Sequence, residues 1–196
     1  MRHAHTLRTV AIVGLVIATH ATAVLGAADY LLAGKKLVIR DSTTKKLVFI
    51  TKDPATITPT PGGADDPTLV GADFALKTSS GETAQFALPA TGWFLKQTSD
   101  GPLFKFVNED APGGLSPVRV VVLRGGFLKV KALDSGISLN EGSQVAIGVR
   151  LTAGGCRWCS AFATVESIVV DDPGLFKASG DFPPAGCISP SGAFIE

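Results

Sequence analysis

Residues 151–162, LTAGGCRWCSAF, bring together more reactive side chains than any other stretch. Two of the three cysteines, Cys156 and Cys159, one of the two tryptophans, Trp158, and a Gly-Gly turn all fall within it. The order Cys156-Arg157-Trp158-Cys159 matches the redox C-x-x-C pattern, which works where a helix N-terminus lowers the pKa of the first thiol inside a βαβ unit. Both flanks read as strands here, so that setting is missing. Covalent haem attachment requires a histidine at the next position, which is Ser160, and structural zinc requires a second cysteine pair. Three uses stay open for the cysteines: a structural bridge, a vicinal Cys156–Cys159 bridge, and metal or redox chemistry outside these patterns.

Carboxylates are the other candidates for catalysis. Asp65-Asp66, Glu109-Asp110 and Asp171-Asp172 are acidic pairs in predicted loops, and glycosidases work with two opposed carboxylates. Adjacent loop acids are more often solvated turn formers. Loop oxygens can also hold calcium, although no complete calcium-loop pattern is present. Glu166 stands in an apolar stretch, where burial and an outward strand face explain it equally well. Trp93 and Trp158 are candidates for a ligand-stacking platform of the kind sugar-binding β-sandwiches use, yet each also sits beside a turn and phenylalanines, as a core anchor does. Eleven Phe against one Tyr favour packing over wet recognition.

Residues 1–28 combine a basic start (Arg2, His3, His5, Arg8), an apolar run from Val10 to Ile17 and small residues up to Ala28. This is the pattern of a secretory signal peptide. Thr19, His20 and Thr22 interrupt the apolar run short of the roughly 20 residues that span a bilayer, so the mature chain is expected to have no transmembrane anchor. The expected location is secreted or periplasmic. Removing the leader takes away all three histidines, and with Arg2 and Arg8 gone the 18 basic residues become 16 against 17 acids, a formal charge of −1. A mature chain without histidine cannot build a Ser-His-Asp triad, a Cys-His dyad or a histidine base, and lacks the imidazole ligands usual in catalytic zinc sites. Near-neutral charge also argues against a nucleic-acid binder or a polybasic membrane-surface protein. In an oxidising compartment, three cysteines imply one bridge and one odd thiol.

The elements that carry these groups read as strands throughout. The remaining 196 − 28 = 168 residues suit a single domain spanning 29–196. Residues 34–40 and 45–51 form a predicted hairpin across a polar tetrad, and 53–67 a long proline-rich loop. Further hairpins are expected from 68–77 with 83–88, from 93–97 with 103–107, and from 118–124 with 127–133 across Gly125-Gly126, a pair suited to positive φ. Strands are also expected at 145–151, 161–170 and 175–178, whereas residues 29–33 allow one helical turn at most. The chain ends in a Pro/Gly-rich tail. Turn signals this regular predict an all-β fold, an antiparallel β-sandwich or a jelly-roll-like domain.

The segments GKKLVIRD, DPTLVGA, LPATGW, VVVLRGGFLKVKA and VAIGVRLTAG followed by WCSAF and a later cysteine resemble a group of exported β-rich proteins of Gram-negative bacteria. The resemblance covers most of residues 34–187 and carries no catalytic motif. It implies an envelope location and a disulfide between Cys159 and Cys187, which closes a loop of about 28 residues and stabilises by about 3 to 4 kcal/mol in the chain-entropy model. Cys156 departs from that pattern. The expectation is therefore a non-enzymatic binding or structural module of the cell envelope without a cofactor. Its partner is expected to be carbohydrate or another envelope protein, and not nucleic acid. The alternatives are a carbohydrate-active enzyme using paired carboxylates, or a carbohydrate-binding module.

Overall fold

Most strands of this protein, such as Gly34–Arg40, Lys46–Thr51, Val118–Arg124 and Phe127–Ala132, bury alternate residues on one face. The computed structural model describes residues 28–43, 45–111 and 116–189; apart from Ala28, the expected leader lies outside them. One sheet contains β1 (Ala28–Leu31), β4 (Ala72–Thr78), β5 (Thr83–Leu88), β10 (Ile147–Ala153) and β11 (Cys156–Phe162). The other contains β2 (Gly34–Arg40), β3 (Lys46–Thr51), β6 (Trp93–Thr98), β7 (Gly101–Val107), β8 (Val118–Arg124), β9 (Phe127–Ala132), β12 (Ile168–Asp172) and β13 (Leu175–Ser179). Their orders are β1-β11-β10-β4-β5 and β12-β13-β2-β3-β9-β8-β7-β6. Pairing is antiparallel except between β1 and β11. The two sheets form a β-sandwich around one apolar core. Among the described residues, no helix is long and apolar enough to cross a membrane.

The four hairpins form where the turn residues place them, and four details of the chain differ from expectation. Residues 67–70 make a helical turn, α1 (Pro67–Val70), in place of a strand start, because the Asp66 side chain accepts from Thr68 N and Pro67 occupies the first turn. Residues 29–33 do not make a helical turn: residues 28–31 instead pair along the free edge of β11, which offers backbone partners that no isolated helical turn has. Of the two glycines between β8 and β9, only Gly126 takes positive φ, at 69°. The strand expected over 161–170 also divides. β11 ends at Phe162 and β12 starts at Ile168, because the buried Asp181 carboxylate draws the intervening chain into a turn. Glu166 is exposed in that turn.

Across the core, Phe162 meets Phe49 edge to face at 6.3 Å and lies over Gly34, where an added Cβ would approach its ring to 2.6 Å. With Phe162 and Trp158 turned inward, alternation turns Cys159 to the outer face of the five-stranded sheet. There it is bonded to Cys187, with Cα atoms 5.3 Å apart. The tail crosses this outer face as a strap: Ile188 sits over Gly148, Arg150 Nη1 donates to Ile188 O at 2.8 Å, and Lys77 Nζ donates to Ser189 O at 3.0 Å.

Asp181, only 7% exposed, ties the start of that strap to the body by accepting from Ala163 N, Ser167 Oγ and Phe182 N. Burial alone raises its pKa, but these hydrogen bonds outweigh it and hold the carboxyl below its ordinary 3.8. A depressed folded pKa contributes stability that is complete above the unfolded value and is lost as pH falls through the folded one. Asp181→Asn is therefore expected to flatten the loss of stability below about pH 4, read from urea melts across acidic pH; an unchanged acid limb would place that sensitivity elsewhere. Cys187→Ser is expected to cost about 3 to 4 kcal/mol and to open residues 180–189 to protease under oxidising conditions. Full protection of that segment would mean that Ile188 and the two carbonyl bonds hold the strap without the bridge.

Candidate functional site

The tryptophans and the odd cysteine are placed by the inward face of the sandwich. Trp158 is 1% exposed, stacks on Tyr30 at 5.6 Å, and donates its indole N–H to Ile57 O at 2.8 Å. Trp93 is 5% exposed, packs against Phe106 at 5.5 Å, and donates to Leu88 O at 3.2 Å. Both are core anchors. Neither offers a solvent-facing ring on which a sugar could stack, because each indole is held over the core by its own backbone acceptor. Cys156 opens β11 with its Sγ 3.6 Å from Asp65 Oδ2. Burial first, and then the Asp65 charge, push its thiol above the ordinary value, while the Tyr30 hydroxyl acts in the opposite direction. At neutral pH it is a protonated thiol and not an activated nucleophile.

Several acids are engaged in local structure. Asp66 caps α1 and also accepts from Gly62 N at 2.7 Å. Asp171 accepts from Gln144 N at 2.7 Å and Val145 N at 2.9 Å. Glu109, Asp110 and Asp172 are exposed. Among the described residues, no three His, Cys, Asp or Glu side chains converge as a metal-ligand group.

The outer face of the eight-stranded sheet has a different character. Inward positions such as Leu37, Ile39, Phe49, Val130 and Val121 are fully buried, so the residues between them point away from the core. β2 presents Lys36 and Arg40 there, β3 Lys46, and β13 Lys177. β9 adds Lys129 and Lys131, β8 Arg124, β7 Lys105 and β6 Lys96. The strands of this sheet contain no acid except Asp171 and Asp172 in β12. Between the cations stand Val38, Val48, Ile50, Val120 and Val122.

Register brings these charges into rows. Lys131 lies between Val48 and Val120, and Lys129 between Ile50 and Val122, so lysines on β9 are flanked by aliphatic side chains on both neighbouring strands. A bulge between Val118 and Val120 leaves Arg119 exposed. There it joins Lys36, Lys46 and Lys131 in lining a shallow groove of about 560 Å³. Acids are confined to the margins. Asp41 and Asp134 pair with Lys45 at 3.2 and 3.4 Å, and Asp100 pairs with Arg124 at 3.6 Å. Among the described residues, Lys36, Lys46, Lys105, Lys129 and Lys131 have no acid within ion-pair distance. Such an array produces a positive potential that draws in anions.

No protein-family model matches the chain, and neither does any curated protein or solved structure.

Because Cys156 is held as a thiol, alkylation by iodoacetamide at neutral pH is expected to run well below the rate of free cysteine and to rise only in alkaline solution. A rate at pH 7 equal to that of free cysteine would show a thiolate that this packing does not account for.

Proposed function

We propose that this chain is an exported, non-enzymatic binding module of the cell envelope that engages an anionic partner through the outer face of its eight-stranded sheet. The observation that carries the reading is the separation of charge. Nine cations, Lys36, Arg40, Lys46, Lys96, Lys105, Arg124, Lys129, Lys131 and Lys177, share a face whose strands hold acids only in β12. Holding like charges together on one surface costs self-repulsion that an opposite partner relieves. An anionic ligand also fits better than a neutral sugar, since both tryptophans are buried. An extracytoplasmic location is supported by the Cys159–Cys187 bridge, because such bonds persist in oxidising compartments.

The test is binding to dextran sulfate as a generic polyanion. Affinity is expected to fall steeply with added salt, and Lys129→Glu with Lys131→Glu is expected to weaken it by about tenfold or more at low ionic strength. Both side chains point outward, so the double variant should keep its melting temperature. Unchanged retention of that folded variant would remove the sheet face as the binding surface.

A further inference from the structure

We infer that the anionic partner is a lipid surface, on which the chain docks with the basic sheet face together with the edge formed by β6 and α1. The inference rests on the reading of the basic face as a binding surface and adds an apolar component to it. Leu69 and Val70 of α1 are 62% and 53% exposed, and Phe94 and Leu95 of β6 are 58% and 38% exposed. α1 packs against β6, so the exposed apolar side chains of both elements stand at one edge of the molecule. Phe94 is on the outer face of the sheet with Lys96, and Leu95, by alternation, is on the other side of the strand. Single exposed apolar residues are ordinary on any protein surface, whereas a group of them beside charge of one sign marks an interaction site. The edge is continuous with the basic face: β6 is the terminal strand of the sheet, Phe94 stands opposite Lys105, and Lys96 stands opposite Leu103.

Charge and chemistry select among the partners this surface could take. A second copy would bring Lys96 and Lys105 against the same lysines, which is repulsive. An acidic polysaccharide or a nucleic acid satisfies the cations but leaves the apolar edge in water. The side chains between the lysines, Val38, Val48, Ile50, Val120 and Val122, also offer no hydrogen bond to a base edge or a sugar hydroxyl. A bilayer with anionic headgroups satisfies both components. Its phosphates accept from the lysine and arginine groups, while Phe94 and the α1 side chains enter the boundary between headgroup and acyl chain. The bond to the surface is then reversible and sensitive to salt, because it rests on charge and on a few side chains entering the boundary, and among the described residues no helix is long and apolar enough to cross the bilayer.

The experiment is sedimentation of the full chain with vesicles of phosphatidylcholine alone and of phosphatidylcholine mixed with phosphatidylglycerol. Binding is expected only where phosphatidylglycerol is present and is expected to be lost in high salt. Lys129→Glu with Lys131→Glu should weaken it by about tenfold or more. Leu69→Ser with Phe94→Ser should weaken vesicle binding by about tenfold yet leave dextran sulfate binding unchanged. A thermal melt checks that this variant, altered only at exposed positions, remains folded. Dextran sulfate binding without vesicle binding would overturn the lipid assignment and leave the basic face as a polyanion site. So would vesicle binding that ignores the Leu69 and Phe94 substitutions. Indifference of both ligands to the lysine reversals would instead remove the binding face itself. A dimer in light scattering that Phe94→Ser dissociates would give the apolar edge to a second copy and overturn the inference.

Discussion

The insertion of Phe162 between the sheets, edge-on to Phe49 and over the bare backbone of Gly34, decides which way β11 faces. Side chains alternate along a strand, so one buried ring sets all the others. Phe162 inward means Trp158 inward, stacked on Tyr30, and Cys159 outward. An outward Cys159 means that the disulfide lies outside the sandwich, and its partner Cys187 can reach it only if the tail crosses the five-stranded sheet. The strap over Gly148, Arg150 and Lys77 follows from that register. A slip of one residue would bury the disulfide and expel both rings.

Because the strap covers one outer face of the sandwich, the two faces have different environments. Ile188 and Cys187 are buried against the five-stranded sheet, where Lys77 and Arg150 are used on tail carbonyls and Arg157 pairs with Asp29. Among the described residues, nothing covers the eight-stranded sheet in this way, and its lysines stay at the surface. This contrast separates structural cations from those available to a partner. It also explains why the reactive-looking stretch at 151–162 holds the fold together and the chemically plain strands form the candidate site.

A formal charge near zero argues against a polyanion binder only if charges are mixed over the surface. In this fold they are not mixed. Asp66, Asp171 and Asp181 bind backbone N–H groups in turns, and Asp41, Asp100 and Asp134 stand in connections between strands. Lysines alternate with valines in the strands, because a long aliphatic stem packs well on a pleated surface while its ammonium stays in water. Acids in turns and lysines in strands are visible residue by residue. Their sum over a face is not, since it depends on which strands become neighbours.

The sequence by itself determined the all-β class, the hairpins and their turns, because strand alternation and turn chemistry act over a few residues. It also determined the absence of histidine chemistry after residue 28, which is a matter of composition. Only the tertiary structure decided that residues 28–31 join β11 in parallel and that the tail becomes a strap. It also decided that Trp93 and Trp158 are buried and that lysines and arginines from seven strands share one surface. The physical reason is range. Turn and strand preferences are set by adjacent residues, whereas burial and potential arise between strands far apart in the chain, whose order and register are chosen by the packing of the core.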